Sequence, residues 1–237
     1  MAEEKAIQPK SYTKVIDYIK IQIREGNLTL GSRLPAEREL SQILGISRNS
    51  VREAIRTLDI MGIISSQQGA GNYLTGNFEY NLVESLSMMF LLNQITYQQI
   101  SQLRRALEMQ ALMLAIDNIT EEQIKELLQV VTELEHTTET NNIALDKKLH
   151  YTIAKASGNR LITDILQALS DLIDQFIVDL RREILNSPDS KMILFEAHNE
   201  MMLSLIKKDK NIGLQAINKH FGIIDEKLGA STKGIMK

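Results

Sequence analysis

Apolar positions repeat at helical spacing through nearly the whole chain, and the exceptions gather in one short stretch near the N-terminus. Val15, Ile16, Ile19 and Ile23 mark one face of a helix over 12–26, closed by Gly26. A turn at Leu30–Arg33 follows. Pro35 is suited to the first position of a second helix, with Glu37 and Glu39 where the helix dipole favours acids, and Gly45 ends it after Leu44. Ser47 is placed to cap a third helix, Arg48 to Met61, whose Val51, Ala54, Ile55 and Leu58 form an inward stripe. Only then does the period change: 63–67 and 72–75 read as two short strands around Gly69-Ala70-Gly71. Three helices and a hairpin in this space predict a winged helix-turn-helix.

Beyond Gly76-Asn77 strand-like runs disappear, and Pro188 is the only proline. Helical patterns run over 79–93, 96–117, 121–139, 142–157, 159–186, 190–209 and 211–229. Seven helices with short connections predict an all-α antiparallel bundle. The fold class is therefore mainly α, with a winged helix-turn-helix over 1–76 and a helical domain over 77–237.

Composition narrows the function. The 237 residues are 43% hydrophobic and contain no cysteine, which removes disulfides, thiolate metal sites and cysteine nucleophiles. The polar N-terminus does not resemble a signal peptide, and the longest uncharged run, Ser85 to Leu103, is too polar to span a bilayer, so a cytoplasmic protein without a membrane partner is expected. The net charge of −3 divides into +2 over residues 1–76 and −5 over the remainder, an asymmetry too mild to argue for nucleic acid by itself.

The placement of charge says more. Arg48, Arg52 and Arg56 follow at intervals of four on the third helix, beside its apolar stripe, while Ser47, Asn49 and Ser50 gather at its N-terminal end, where free N–H groups suit phosphate. Three arginines on one face also describe an ordinary solvated helix. The surrounding segments decide between the two. Gly31-Ser32-Arg33-Leu34-Pro35-Ala36-Glu37-Arg38-Glu39-Leu40, Gly45-Ile46-Ser47-Arg48-Asn49-Ser50-Val51-Arg52-Glu53-Ala54, Gly62-Ile63-Ile64 and Gln68-Gly69-Ala70-Gly71 closely resemble the DNA-binding domain of the GntR family over nearly all of 12–75. Ala36 stands where serine is more usual. The resemblance implies that Arg38, Arg48 and Arg52 are the main DNA-contacting side chains, that Gly69 tips a wing entering the minor groove, and that a homodimer binds a short pseudo-palindromic double-stranded operator.

Three of the four histidines fall on inward stripes. Asp146 and His150 are spaced i, i+4 on a side that also carries Ile143, Ile153 and Ala154; His198 aligns with Phe195, Met202 and Leu205; His220 lies between Ile217 and Ile224. Such a set can bind a divalent metal inside a bundle, and it can equally be three separate core histidines. Here too a resemblance decides. Residues 79–229 resemble the FCD ligand-binding domain of the FadR subfamily, in which Asp146-x-x-x-His150, Glu196-Ala197-His198 and His220 match the metal-ligand positions. Arg104-Arg105-Ala106-Leu107-Glu108 matches the segment whose first arginine faces the effector pocket. The resemblance thus implies one divalent ion per chain (zinc, nickel or manganese) on Asp146, His150, His198 and His220, with Arg104 binding a small organic acid effector. An octahedral ion would leave two positions for a carboxylate, whereas a tetrahedral zinc would be closed and structural. His136 matches nothing and is read as a surface residue, and Met88, Met89, Met109, Met113, Met192, Met201 and Met202 are read mostly as core.

The expected function is a metabolite-responsive DNA-binding regulator, a repressor by first choice, and not an enzyme. The alternative is a metal-dependent enzyme acting on a small organic acid. Against it, Asp146 is used as a ligand and a second acid or base motif is not legible near the histidines. A third reading, an architectural DNA-binding protein, would have no pocket.

Overall fold

The computed structural model describes residues 11–76, 79–136 and 139–230, in two units that divide between Leu82 and Val83. The expected boundary falls beside Asn77 and Phe78, which lie outside the described residues.

In the first unit, helices α1 (Ser11–Arg24), α2 (Glu37–Leu44) and α3 (Arg48–Ile60) precede strands β1 (Ile64–Gln67) and β2 (Gly71–Leu74). Val15 and Ile19 of α1, Leu40 of α2 and the α3 stripe Val51, Ala54, Ile55 and Leu58 are buried together. The α2–α3 turn is built locally. Gly45 takes the left-handed conformation (φ 61°, ψ 38°), where a side chain would be strained, and its N–H donates to the Ser41 carbonyl. Ser47 then caps α3 by accepting from the Ser50 N–H at 3.1 Å, as its position in the sequence predicts.

Pro35 does not open α2. The helix begins at Glu37, with extended Ala36 (φ −61°, ψ 152°) at its N-cap and no side-chain capping bond. The cause is the sheet. The Leu34 N–H donates to the Asn72 carbonyl and the Leu74 N–H to the Ser32 carbonyl, each at 2.8 Å, so 32–34 runs extended along β2. The hairpin is antiparallel, with Ile64 opposite Leu74 and Gln67 opposite Gly71, and presents Gly69 at its exposed tip (φ 79°).

After α4 (Glu79–Leu92), which spans the division, the second unit contains α5 (Tyr97–Asn118), α6 (Glu121–His136), α7 (Glu139–Ala156), α8 (Arg160–Leu172), α9 (Asp174–Leu185), α10 (Pro188–Lys207) and α11 (Lys210–Ala230). Eight helices stand among the described residues where seven were expected, because the pattern over 159–186 divides at Ile173 (φ −108°, ψ 21°). Neither glycine nor proline marks the spot. Hydrogen bonds from the Ile173 N–H to Leu169 and from the Ile177 N–H to Ile173 continue on both sides, and Ile173 is buried with Phe90, Ile100 and Leu169. The helix is interrupted at a residue buried in the core, which a propensity-based reading cannot see. The expected helix limits at 139 and 142 adjoin Thr137 and Thr138, which lie outside the described residues.

Helix α5 is the axis of this unit. Leu112, Ala115 and Ile116 meet Leu127 and Leu134 of α6, Leu149 and Ile153 of α7, Met201 and Leu205 of α10, and Ile217 and Phe221 of α11. Gly213 lets α11 approach closely, since a Cβ there would sit 2.9 Å from Ile116 Cδ1. Two turns later, α11 carries His220 into the interior. Met201 and Met202 are core, Met109 and Met113 pack against it, and Met88, Met89 and Met192 are exposed.

Candidate functional site

The exposed face of the first unit collects its basic groups. Arg38 on α2 and Arg48, Arg52 and Arg56 on α3 are all exposed, as are Ser47 and Asn49, with Ser50 partly so. Arg52 is held by Glu37, whose Oε2 accepts from Nε at 3.3 Å and Nη2 at 3.2 Å. The wing adds a cation that the sequence did not single out. Arg33 pairs with Tyr73 across the edge of β2, and its guanidinium lies against Gly71, where a Cβ would come within 2.8 Å of Nε.

The second unit buries a polar centre. His150 on α7, His198 on α10 and His220 on α11 each offer a ring nitrogen, and these nitrogens lie within 4.8 Å of one another. Asp146, one turn before His150, places Oδ1 3.3 Å from His198 Nε2 and 3.7 Å from His150 Nε2. Thus α7, α10 and α11 bring all four sequence-predicted ligands together. His136 stands apart and exposed.

Three neighbours were not legible in the sequence. Glu108, 5% exposed, sets Oε2 2.8 Å from His150 Nδ1, and its Oε1 accepts from Arg104 Nε and Nη2 at 3.1 and 2.8 Å. Arg181, 4% exposed, sets Nη1 2.7 Å from Asp146 Oδ1, while its Nε and Nη2 donate to Asn142 Oδ1 at 3.0 and 2.8 Å. Asn142 in turn donates to the Leu134 carbonyl. The i, i+4 spacing of Arg104 and Glu108 was the available signal for the first pair. Arg181 adjoins exposed Arg182 and reads as a solvated face until the bend at Ile173 fixes the phase of α9.

Electrostatics follow from burial and pairing. Burial pushes His198 and His220 well below the ordinary histidine range, which keeps both neutral. Burial would raise Glu108, but Arg104 and His150 outweigh it and leave its pKa at about 2. Burial likewise opposes ionisation of Asp146, yet Arg181 and His150 draw its pKa below the usual carboxylate value. Glu108 is an acid beside the histidines that no sequence motif marked. Its low pKa and its pairing with Arg104 make it a weak base, poorly suited to general-base catalysis at neutral pH.

The donor set fits a divalent metal. His150 Nε2, His220 Nδ1 and both nitrogens of His198 are buried without a well-formed hydrogen bond, a concentration of unmet polar atoms costing about 1–3 kcal/mol each. Glu108 beside His150 Nδ1 matches the carboxylate that orients an imidazole toward a metal with its other nitrogen. A cavity of about 100 Å³ lies beside these groups, lined by Arg104, Glu108, Asp146, His150, Arg181 and His220, with His198 behind its wall. Arg104 therefore faces the cavity, but as half of a buried ion pair.

Arg104→Ala is accordingly expected to cost about 3–5 kcal/mol by leaving Glu108 buried and unpaired. Arg104→Lys, which keeps the charge and loses the planar fork, should cost clearly less. Urea unfolding of the two variants measures the difference; equal losses would mean that charge compensation of Glu108 is unimportant.

Residues 11–74 match the bacterial regulatory proteins of the gntR family, and residues 99–222 match the FCD domain. The chain is 26% identical over 218 residues to the HTH-type transcriptional regulator YcbG of Bacillus subtilis, covering 91% of this chain and 88% of that one. It is 28% identical over 217 residues to the putative L-lactate dehydrogenase operon regulatory protein of Escherichia coli, covering 89% and 83%. Among solved structures, Streptococcus agalactiae GntR shares the fold with a TM-score of 0.63 at 21% identity, covering 91% of this chain and 99% of that one. No described helix is long and apolar enough to cross a membrane.

Proposed function

The chain belongs to the GntR family of bacterial regulatory proteins, with an FCD domain, and on that premise we propose that this transcription regulator is a cytoplasmic homodimer whose helical unit holds a metal and a small organic acid and thereby sets operator affinity. Three clustered imidazoles with unmet nitrogens, two of them (His150 and His220) on the wall of a cavity shared with Arg104, carry this conclusion. His150, His198, His220 and Asp146 would hold the ion (zinc, nickel or manganese). When bound, the metal supplies a Lewis-acidic docking point for a carboxylate oxygen. The side chains do the rest. Glu108 orients the His150 ring, Arg181, itself held by Asn142, fixes Asp146, and Arg104 offers positive charge at the cavity wall.

On DNA, Arg48 and Arg52 of α3 read base edges in the major groove. Arg38 of α2 and the Ser47, Asn49 and Ser50 cluster position the backbone, and Gly69 lets the wing tip approach the minor groove. An acid alters operator affinity only if it binds the two dimer arrangements unequally. Release of the operator is the proposed direction. The E. coli relative's name, a putative regulator of an L-lactate dehydrogenase operon, supports a small organic acid as the signal.

A screen of hydroxy, keto and aliphatic acids against an operator complex tests the proposal. Arg104→Lys should weaken the response to an active acid about tenfold, the loss of a bidentate charged contact, while operator binding without acid stays near wild type. An acid whose effect is undiminished in this variant would place the receptor elsewhere.

A further inference from the structure

The cavity lining is mixed in chemistry. Its polar groups come from α5, α7 and α8, joined by Arg181 and His220, whereas its aliphatic groups include Ile177, Leu180, Ile184, Leu194, Ile224 and Leu228 on α9, α10 and α11. Ile184 and Leu194 are buried, and the other four are partly so. Several of the hydrogen-bonding groups that line the cavity are also engaged. Arg104 bonds Glu108, Arg181 bonds Asn142 and pairs with Asp146, and Lys147 pairs with Asp174. Ser101 Oγ donates to Asp225 at 3.1 Å and Gln167 Nε2 to Asp171 at 2.8 Å.

We propose that the acid received here has a short aliphatic tail, its carboxylate among the histidines and Arg104 and its tail against the Ile177, Leu180, Ile184, Leu194, Ile224 and Leu228 wall. This rests on the reading of the cavity as an acid receptor and specifies what that receptor selects. A carboxylate is met by cationic and metal-binding groups at one end of the space. A hydroxyl carried on the tail would be pressed against aliphatic carbon, where the six wall side chains offer it nothing, and it would be buried unsatisfied. The volume limits the length. A closed cavity of about 150 Å³ takes benzene, so the space of about 100 Å³ here, part of a pocket that opens outward, suits a short acid. Sugar acids are disfavoured by their polarity.

Calorimetric titration of the full chain with Zn²⁺ added, using acetate, propionate, butyrate, 4-hydroxybutyrate, pentanoate and gluconate, tests this without relying on any operator. Affinity should rise about fourfold for each methylene from acetate to butyrate, as expected for burial of a CH₂. The 4-hydroxybutyrate anion should bind at least about tenfold more weakly than pentanoate, its near isostere, because its terminal hydroxyl meets the wall. Gluconate should not bind. Leu180→Ala, which enlarges the wall without adding polarity, should move the best chain length upward. If acetate, butyrate and 4-hydroxybutyrate bind alike, or if gluconate binds and butyrate does not, the tail preference is wrong while the acid receptor stands. If none of the six acids binds, the receptor reading fails with it. An unchanged length preference in Leu180→Ala would show that this wall does not meet the tail.

Discussion

Removing divalent metal from the full chain with a chelator is expected to lower the melting temperature of the helical unit by about 10 °C. An ion present at a thousandfold excess over its dissociation constant stabilises the folded state by about 4 kcal/mol. For a unit of this size each kcal/mol shifts the melting temperature by about 2–4 °C. The stabilisation arises because ligands on α7, α10 and α11 otherwise leave unmet nitrogens in the interior. His198→Ala should remove most of the metal-dependent increment, since His198 is 1% exposed and central to the cluster. Acid should act in the same direction. Burial depresses the folded pKa of His198 and His220 below the unfolded value near 6.5, so their neutral form contributes fully above about pH 6.5 and loses ground as pH falls through the lower folded values. Protonation also competes with the metal, which needs neutral imidazole. Circular dichroism melts from pH 8 to 5, with and without chelator, measure both effects. Identical melts at pH 7.5, combined with elemental analysis finding no divalent ion, would remove the metal from the account.

Arg48→Ala and Arg52→Ala are each expected to weaken operator binding by about 1–3 kcal/mol, roughly 5- to 150-fold, with discrimination between operator and unrelated DNA lost in parallel. Both side chains are exposed on α3 beside an intact apolar stripe, so their removal leaves the first unit's core untouched. Arg52 carries a second consequence. Glu37 holds its guanidinium through two bonds, restricting the rotamers from which it reaches DNA, and Arg52→Ala removes that preorganisation together with the base-edge bond. Arg38→Ala should instead weaken binding to all sequences and flatten the dependence on salt, by a slope of about 0.9 for each phosphate no longer neutralised. Fluorescence anisotropy on operator and scrambled duplexes at several salt concentrations separates the two behaviours. Unchanged affinity in both Arg48→Ala and Arg52→Ala, with folding intact, would mean that α3 is not the recognition helix.

Local chemistry made the first unit readable from sequence. Ser47 caps α3, Gly45 breaks α2 in the left-handed conformation, and the α3 stripe is buried where its spacing placed it, because each depends on neighbours a few residues away. Pro35 misled because its conformation is set by the pairing of neighbouring Leu34 with Asn72, far along the chain. In the helical unit the inward faces of His150, His198 and His220 were legible from periodicity, and their convergence was suggested by family resemblance. Their partners were not. Arg181 looks like half of an exposed basic pair, and Glu108 like an ordinary helix-surface acid, until helices packed across the unit bring Asn142 and His150 to them. The interruption at Ile173, without glycine or proline, belongs with these, since it falls at a residue buried with Phe90 and Ile100.

We propose that metal, acid and operator are coupled through this cavity. Operator affinity of the wild-type protein, measured with and without an active acid, in metal-loaded and metal-stripped forms, tests this. The coupling expected is about 1–3 kcal/mol, a 5- to 150-fold weakening of operator binding by the acid in the metal-loaded form and little or none in the stripped form. An acid effect of equal size in both forms would contradict the account.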